Sequence, residues 1–359
     1  MKKNKLLLLV LCITLVFSLF AAGCSSDSDK DDTSANETVK FTDDTGREVE
    51  LPAKIDSVIA TGDMAQIYVY AIAPETLKAV SGAWSKDAEK YIDKKYMELP
   101  QVGSFFGNHD LNYEEIASLG AQVIIDVGEA KPTIKEDLDD ITEKTGVPAV
   151  HIDSDLMSAD KAFGRLGELL GKEDQAKEIS SLVSEIYTKV NDSIDKVKDK
   201  KKVLYCLGED GLNVLAKGSY HSQIVDMLSD NVAVLDDPSS MGTGNEVNME
   251  QIMNWDPEII LFAPESYYKD AAGDSTWETL NAIKNNDFYE IPCGPYNWMG
   301  YPPSCNMIMG LAWMAKLLYP EQADYDLKEV TKDYYKLFYH YDLTDDDYNS
   351  LVKESLGKQ

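Results

Sequence analysis

The chain has 359 residues, of which 44% are hydrophobic and 27% charged, and its formal net charge is −29 at pH 7. That length suits two domains of ordinary size with a sizeable core, and the acidity argues against nucleic acid and against a basic patch on an anionic membrane. Arginine occurs only at Arg47 and Arg165, which bears on the charge of any ligand.

Residues 1–23 read as a targeting segment. Lys2, Lys3 and Lys5 precede an apolar run from Leu6 to Phe20, short for a membrane span, and Ala21-Ala22-Gly23 lead into Cys24. This resembles a bacterial lipoprotein signal, in which the cysteine becomes the lipidated first residue. A cleaved secretory peptide with an incidental cysteine is the plainer alternative. Residues 24–37 carry almost no apolar side chain and read as a solvated tether. The expectation is a protein outside the cytoplasmic membrane, anchored to it by lipid at Cys24.

An N-terminal α/β lobe is expected over 38–157. Residues 39–51 alternate apolar and polar around Asp44-Thr45-Gly46, the pattern of a β-hairpin. Short apolar strands at 57–60, 77–82, 123–126 and 148–152 alternate with helices at 64–73 and 133–145, which implies a parallel sheet. Ligands in such sheets sit at the carboxyl ends of the strands, which singles out the loops 61–64, 82–86, 104–110 and 127–131.

A connecting helical segment follows over 158–201. Within it Ala176, Ile179, Leu182, Val183, Ile186, Val190, Ile194 and Val197 recur at steps of three and four, with no Pro or Gly between 174 and 200. That predicts one helix about 40 Å long, long enough to join two lobes rigidly.

The C-terminal lobe is expected over 202–359. It opens with a strand at 202–207 and a short arm at 213–216, then a helix at 221–229. A strand at 259–262 follows, then a strand at 288–292 running into the loop Cys293 to Ser304, an apolar helix at 306–318, and a polar helical region to the end. One pattern occurs on each side of the long helix. Asn112-Tyr113-Glu114-Glu115-Ile116, six residues and Val123-Ile124-Ile125 match Asn248-Met249-Glu250-Gln251-Ile252, six residues and Ile259-Ile260-Leu261. Each copy reads as a short helix, a turn and a buried strand, so the two halves read as a pseudo-duplication.

The hairpin with Asp43-Asp44-Thr45-Gly46-Arg47, the Gln101-Val102-Gly103 turn, both Asn-x-Glu-x-Ile units, Trp255-Asp256-Pro257 and the run Gly310-Leu311-Ala312-Trp313 to Leu318-Tyr319-Pro320 occur in a telling order. Together they resemble the substrate-binding proteins of iron-siderophore, haem and vitamin B12 ABC importers, over about residues 38 to 345. The resemblance implies two Rossmann-like α/β lobes joined by one long rigid helix, the class III periplasmic binding protein fold, with ligand in the cleft. It also implies partners, namely an ABC permease with its ATPase and a small-molecule metal chelate, and a monomeric receptor that needs no cofactor of its own. In that family a glutamate on each lobe docks onto the permease; the matching positions are Glu114 and Glu250. A plainer explanation, a carboxylate favoured at a helix start, is compatible with that role.

For the ligand, the loop 295–303 offers Tyr296, Trp298, Met299 and Tyr301, with Trp84, Phe105 and Phe106 facing from the first lobe and Tyr220, Tyr267 and Tyr268 from the second. Aromatic side chains at a cleft suit a large flat or macrocyclic ligand, although some of these are expected to be ordinary core residues. Neither arginine falls on a predicted cleft loop, leaving Lys86, Lys131, Lys217 or Lys269 as point charges. Anionic groups are usually met by bidentate arginine, so a neutral or cationic chelate, or a corrinoid, fits better than a strongly anionic catecholate complex. An oxyanion such as molybdate or tungstate, held by backbone N–H groups, is the alternative.

His109 and His221 sit where they could meet a haem iron or a metal, but no set of three or four convergent metal ligands can be assembled. Cys206, Cys293 and Cys305 lack metal-ligand spacing and leave one disulfide or three thiols open. No G-x-S-x-G, H-E-x-x-H or phosphate-binding glycine loop is present, so no enzyme is expected. The competing classes are an extracytoplasmic hydrolase or chelate reductase using Glu129 or Glu265 in the cleft, and a sensor that reuses the fold.

Overall fold

The computed structural model describes residues 37–104 and 111–358. Cys24, the targeting segment and most of the tether, with Phe105, Phe106 and His109, lie outside the described residues.

The first strands form a separate antiparallel hairpin, β1 (Thr38–Thr42) with β2 (Glu48–Pro52). Its turn is closed by Asp43, whose Oδ1 accepts the backbone N–H groups of Thr45 and Arg47 at 3.1 and 2.9 Å. Gly46 supplies the positive φ of 83° that a side chain would resist. The first sheet has the order β4-β3-β5-β6 and is parallel throughout, with β3 at Val58–Ala60, β4 at Leu77–Ala79, β5 at Val123–Gly128 and β6 at Ala149–Asp153. These strands are almost wholly buried, as a parallel sheet covered on both faces demands. Its helices are α1 (Asp63–Ile72), α2 (Lys94–Met97), α3 (Tyr113–Ser118) and α4 (Ile134–Thr145).

Two helices follow, α5 (Ala159–Leu170) and α6 (Glu173–Ile194), reversing at Gly171. They pack closely because position 167 is glycine: a Cβ there would overlap Ala176. The long helix ends at Ile194, earlier than the expected 200, and its 22 residues span about 33 Å. Beyond Ile194 the stripe continues only at Val197, among Asp195, Lys196, Lys198, Asp199 and Lys200. Too little apolar surface is left there to hold further turns against the core.

The second sheet has the order β10-β8-β7-β11-β12, with β9 also pairing β7. Its parallel centre is β7 (Lys202–Leu207), β11 (Ile259–Phe262) and β12 (Phe288–Glu290). The short strands β8 (Asn213–Val214), β9 (Asp230–Asn231) and β10 (Asn245–Glu246) complete it. Its helices are α7 (Gln223–Leu228), α8 (Met249–Trp255), α9 (Tyr268–Ala271), α10 (Asn281–Lys284), α11 (Asn306–Leu318), α12 (Leu327–Tyr339) and α13 (Asp345–Leu351).

The duplicated motif acquires a structural reason. Asn112 and Asn248 are the N-caps of α3 and α8, accepting the N–H groups of Glu115 and Gln251 at 3.2 and 3.0 Å; such caps contribute about 1 kcal/mol each. The apolar triplets Val123-Ile124-Ile125 and Ile259-Ile260-Leu261 are buried in strands interior to their sheets. That leaves the shared glutamates unexplained by packing, since Glu114 and Glu250 are both exposed.

One apolar core runs through both halves. Helix α12, near the C-terminus, packs on α1 as well as on α6 and α11. An aromatic column crosses there: Tyr68 of α1 stacks on Phe163 of α5 at 4.5 Å, Phe163 meets Phe338 of α12 at 5.2 Å, and Phe338 stacks on Tyr334 at 4.1 Å. The two sheets are thus tied by α6 and by α12, through contacts that a large hinge motion would have to break.

Candidate functional site

A cavity of about 580 Å³ opens at the carboxyl ends of the strands of both sheets, the place such sheets reserve for ligands. The first half contributes Asp63 at the start of α1 and Ala83, Ser85 and Asp87 beyond β4; the second contributes Tyr205, Leu207, Gly208 and Glu209 at the end of β7, Ala263 to Ser266 beyond β11, and much of the loop 293–302 beyond β12. His221, Gly242 and Thr243 close another side.

The loop 293–302 is shaped by Asn297. Its Nδ2 donates to the Tyr205 hydroxyl at 3.1 Å, its Oδ1 accepts the Met299 N–H at 2.7 Å, and its carbonyl accepts from Asn306 Nδ2. Glycine is required at 294 and 300, where φ is 152° and 107° and a Cβ would press on Tyr91 and Leu351 or on Met307. Tyr335 of α12 donates to the Gly294 carbonyl, and Ser85 donates to the Pro295 carbonyl. The loop is therefore pinned from both halves.

Of the residues expected at the cleft, Tyr296, Met299 and Tyr301 line this cavity. Tyr301 is 66% exposed at its mouth. Trp84 and Trp298 do not line it. The Trp84 indole donates to the Tyr96 carbonyl at 2.9 Å and sits edge-on to Tyr70, while Trp298 is 1% exposed and packs beneath its own loop, its carbonyl against Gly310. Both are wall residues because a large ring next to a tight loop gains more from burial than from display. Tyr220 lines a separate small crevice with Tyr68 and Ser154, and Tyr267 leans on Trp277 with its hydroxyl on Asp274 at 3.0 Å. Tyr268 is buried in the second sheet's core. Glu114 and Glu250 lie outside the cavity.

The electrostatics are one-sided. Asp63, Asp87, Glu209 and Glu265 line the cavity; among the described residues no Lys or Arg does. Arg47 is held by Asp43 and Asp139 at 3.1 and 2.8 Å, and Arg165 by Asp44 at 3.0 Å and by Glu168. Lys131 pairs with Asp137 and Lys217 with Asp230. Lys86 is exposed outside the cavity, and Lys269 lines only a neighbouring crevice with Asp87, Glu265 and Glu290. Burial lowers the pKa of His221, opposed by a hydrogen bond to the Gly300 backbone, so burial favours the uncharged imidazole. Burial, with Asp87 beside it, pushes the Cys293 thiol up to about 12, and burial pushes Cys305 up to about 12. Cys206, Cys293 and Cys305 are all free thiols. Burial, then Asp155 and Asp153, raises the pKa of Glu129, which lies outside the cavity.

Among the described residues no group of three His, Cys, Asp or Glu is placed to hold a bare metal ion. Asp63, Asp87, Tyr205, Glu209 and Asn297 escaped the sequence reading as site residues. Loops 61–64 and 82–86 pointed near the first two; the end of the β7 strand, a carboxyl end like the others, was the available signal for Tyr205 and Glu209.

Comparison with known proteins gives the same architecture. An ABC transporter solute binding protein from Sulfurospirillum deleyianum superposes with a TM-score of 0.80 at 27% identity, covering 88% of this chain and 99% of that one. The molybdate-binding protein MolA of Haemophilus influenzae is 24% identical over 328 residues, 83% of this chain and 90% of that protein. The high-affinity heme uptake system protein IsdE of Staphylococcus aureus is 24% identical over 218 residues, 58% of this chain and 71% of that protein. The family profile of periplasmic binding proteins matches residues 61–293. With the match spanning more than half the chain and the fold agreeing, the chain belongs to the periplasmic binding protein family and is a solute-binding protein of an ABC importer.

Proposed function

We propose that the protein is a monomeric, lipid-anchored receptor that captures a metal chelate outside the cytoplasmic membrane and delivers it to an ABC permease and its ATPase. The chelate classes in view are iron-siderophore, haem and corrinoid (cobalamin-type) complexes, so the process served is iron or cobalamin uptake. Cavity size carries the reading: about 580 Å³ lies within the range of small-molecule pockets, roughly 300–1,000 Å³. Tyr296, Met299 and Tyr301 supply apolar contact area at its loop, and His221 offers an imidazole there. Glu114 and Glu250 are read as the permease-docking pair, exposed at matching helix starts and with no packing role to explain their recurrence. Lipid at Cys24 is read as the anchor.

An oxyanion is the second reading, favoured by the likeness to a molybdate-binding protein. The cavity supports it less well. A tetrahedral oxyanion displaces on the order of four waters, ~120 Å³ at ~30 Å³ each, and here it would face four carboxylates with no described Lys or Arg lining the cavity.

The test is a titration of the soluble chain from Ser25 onward, by calorimetry and tryptophan fluorescence, with cobalamin, haem, ferric hydroxamate, ferric catecholate and molybdate. One-to-one saturation by a chelate, weakened in Tyr301→Ala and followed by release of chemically unchanged ligand, is the expected result. Saturation by molybdate alone, or conversion of the ligand, would replace the reading. Labelling with a lipid precursor, lost in Cys24→Ala, tests the anchor.

A further inference from the structure

The charge of the cavity narrows the ligand further. Its four carboxylates come from four separate segments, 63, 87, 209 and 265. Ser81 donates to Asp63 Oδ1 at 2.8 Å and the Cys293 thiol lies 3.8 Å from Asp87 Oδ2; both neighbours are neutral. None of the four carboxylates is in an ion pair with a described residue, and residues 105–110 contain no Lys or Arg. Charges without an ion-pair partner around a cavity bias the sign of what enters it, and here, among the described residues, only Lys269, in the neighbouring crevice with Asp87 and Glu265, opposes them.

A second observation, independent of the acids, places a hydrogen-bond donor on the same wall. Tyr205 is 2% and Asn297 is 7% exposed, and both line the cavity. Asn297 donates to the Tyr205 oxygen, so that bond uses the hydroxyl as acceptor; the hydroxyl hydrogen has no acceptor among the described residues. A buried donor without an acceptor is costly unless a ligand or a water supplies one. The wall therefore offers a neutral donor for an oxygen at Tyr205, while the acids call for positive charge.

We infer that the cargo is a metal chelate of net positive charge, which seats an uncharged oxygen on the Tyr205 hydroxyl and turns its cationic part toward Asp63, Asp87, Glu209 and Glu265. This rests on the chelate reading above and adds the charge. Four carboxylates at an assumed ~8 Å in solvent separate singly positive and singly negative ligands of one shape by roughly tenfold at 0.15 M salt and by roughly two hundredfold at 0.01 M.

The experiment uses one ferric trihydroxamate framework in three charge forms. Ferrioxamine B with its free ammonium is +1, its N-acetyl derivative is neutral and its N-succinyl derivative is −1. Dissociation constants are measured by calorimetry at both salt concentrations, beside haem, ferric catecholate and cobalamin. The expected order is cationic tightest and anionic weakest, with the ratio widening as salt falls. Asp87→Asn with Glu265→Gln should shrink that ratio about threefold at 0.15 M, and Tyr205→Phe should weaken all three forms without changing it. A flat or reversed order, or tighter binding of anionic haem, ferric catecholate or neutral cobalamin, overturns the inference and leaves the receptor reading standing. No saturable binding of any chelate by folded protein overturns the receptor reading and the inference with it.

Discussion

Replacing Asn297 tests whether the loop over the cavity is held as described. Asn297→Ala removes the bond to the Tyr205 hydroxyl and the bond from the Met299 N–H. Tyr205 and Met299 are each 2% exposed, so only water inside the cavity can replace the lost partner. With about 1–3 kcal/mol for each buried group left unsatisfied, the variant should lose about 3 kcal/mol. Tyr205→Phe should lose about 1–2 kcal/mol by stranding Asn297 Nδ2. Because one bond is shared, the double variant should be more stable than the sum predicts by about 1 kcal/mol. Urea unfolding of the chain from Ser25, followed by circular dichroism, measures all three, with an unchanged m-value as the control for an intact native state. Strict additivity, or a loss below about 0.5 kcal/mol for Asn297→Ala, would refute the network.

Phe338→Ala cuts the aromatic column between α1, α5 and α12 and should cost about 3–5 kcal/mol in the same assay. With that column and α6 intact, solution scattering should show only a few degrees of rocking between apo and bound forms; a large closure would contradict the shared core. The folded-state pKa of His221 is depressed mainly by burial, so below about pH 6.5 the unfolded chain binds more protons there. Stability should fall as pH drops from 6.5 toward 5 and show no His221 slope above it, and His221→Asn should flatten that acid limb in a melting-temperature series. Glu114→Ala and Glu250→Ala alter exposed helix-start residues outside the cavity. They should leave ligand affinity unchanged while lowering uptake in cells that depend on the protein, and unchanged uptake would refute the docking role.

Local order was legible in the sequence. Strand β7 and helix α11 fall on the expected residues, 202–207 and 306–318, because each is a contiguous apolar run whose period decides its form. The duplicated Asn-x-Glu-x-Ile motif marked two equivalent helix–strand units, and the scarcity of arginine foretold a cavity lined by neither Arg47 nor Arg165. Composition and period are properties of neighbours along the chain, so they survive without coordinates. What only the tertiary structure decided is which loop residues face inward. Trp84 and Trp298 carry the same sequence signature as Tyr296 and Tyr301, an aromatic ring beside a glycine- or proline-rich loop, yet the first two are buried in the walls and the last two line the cavity. The acids at 63, 87, 209 and 265 and the Tyr205–Asn297 pair are brought together from distant segments by the meeting of two sheets. Their common field exists only in space, since charges interact through distance and dielectric rather than through sequence separation.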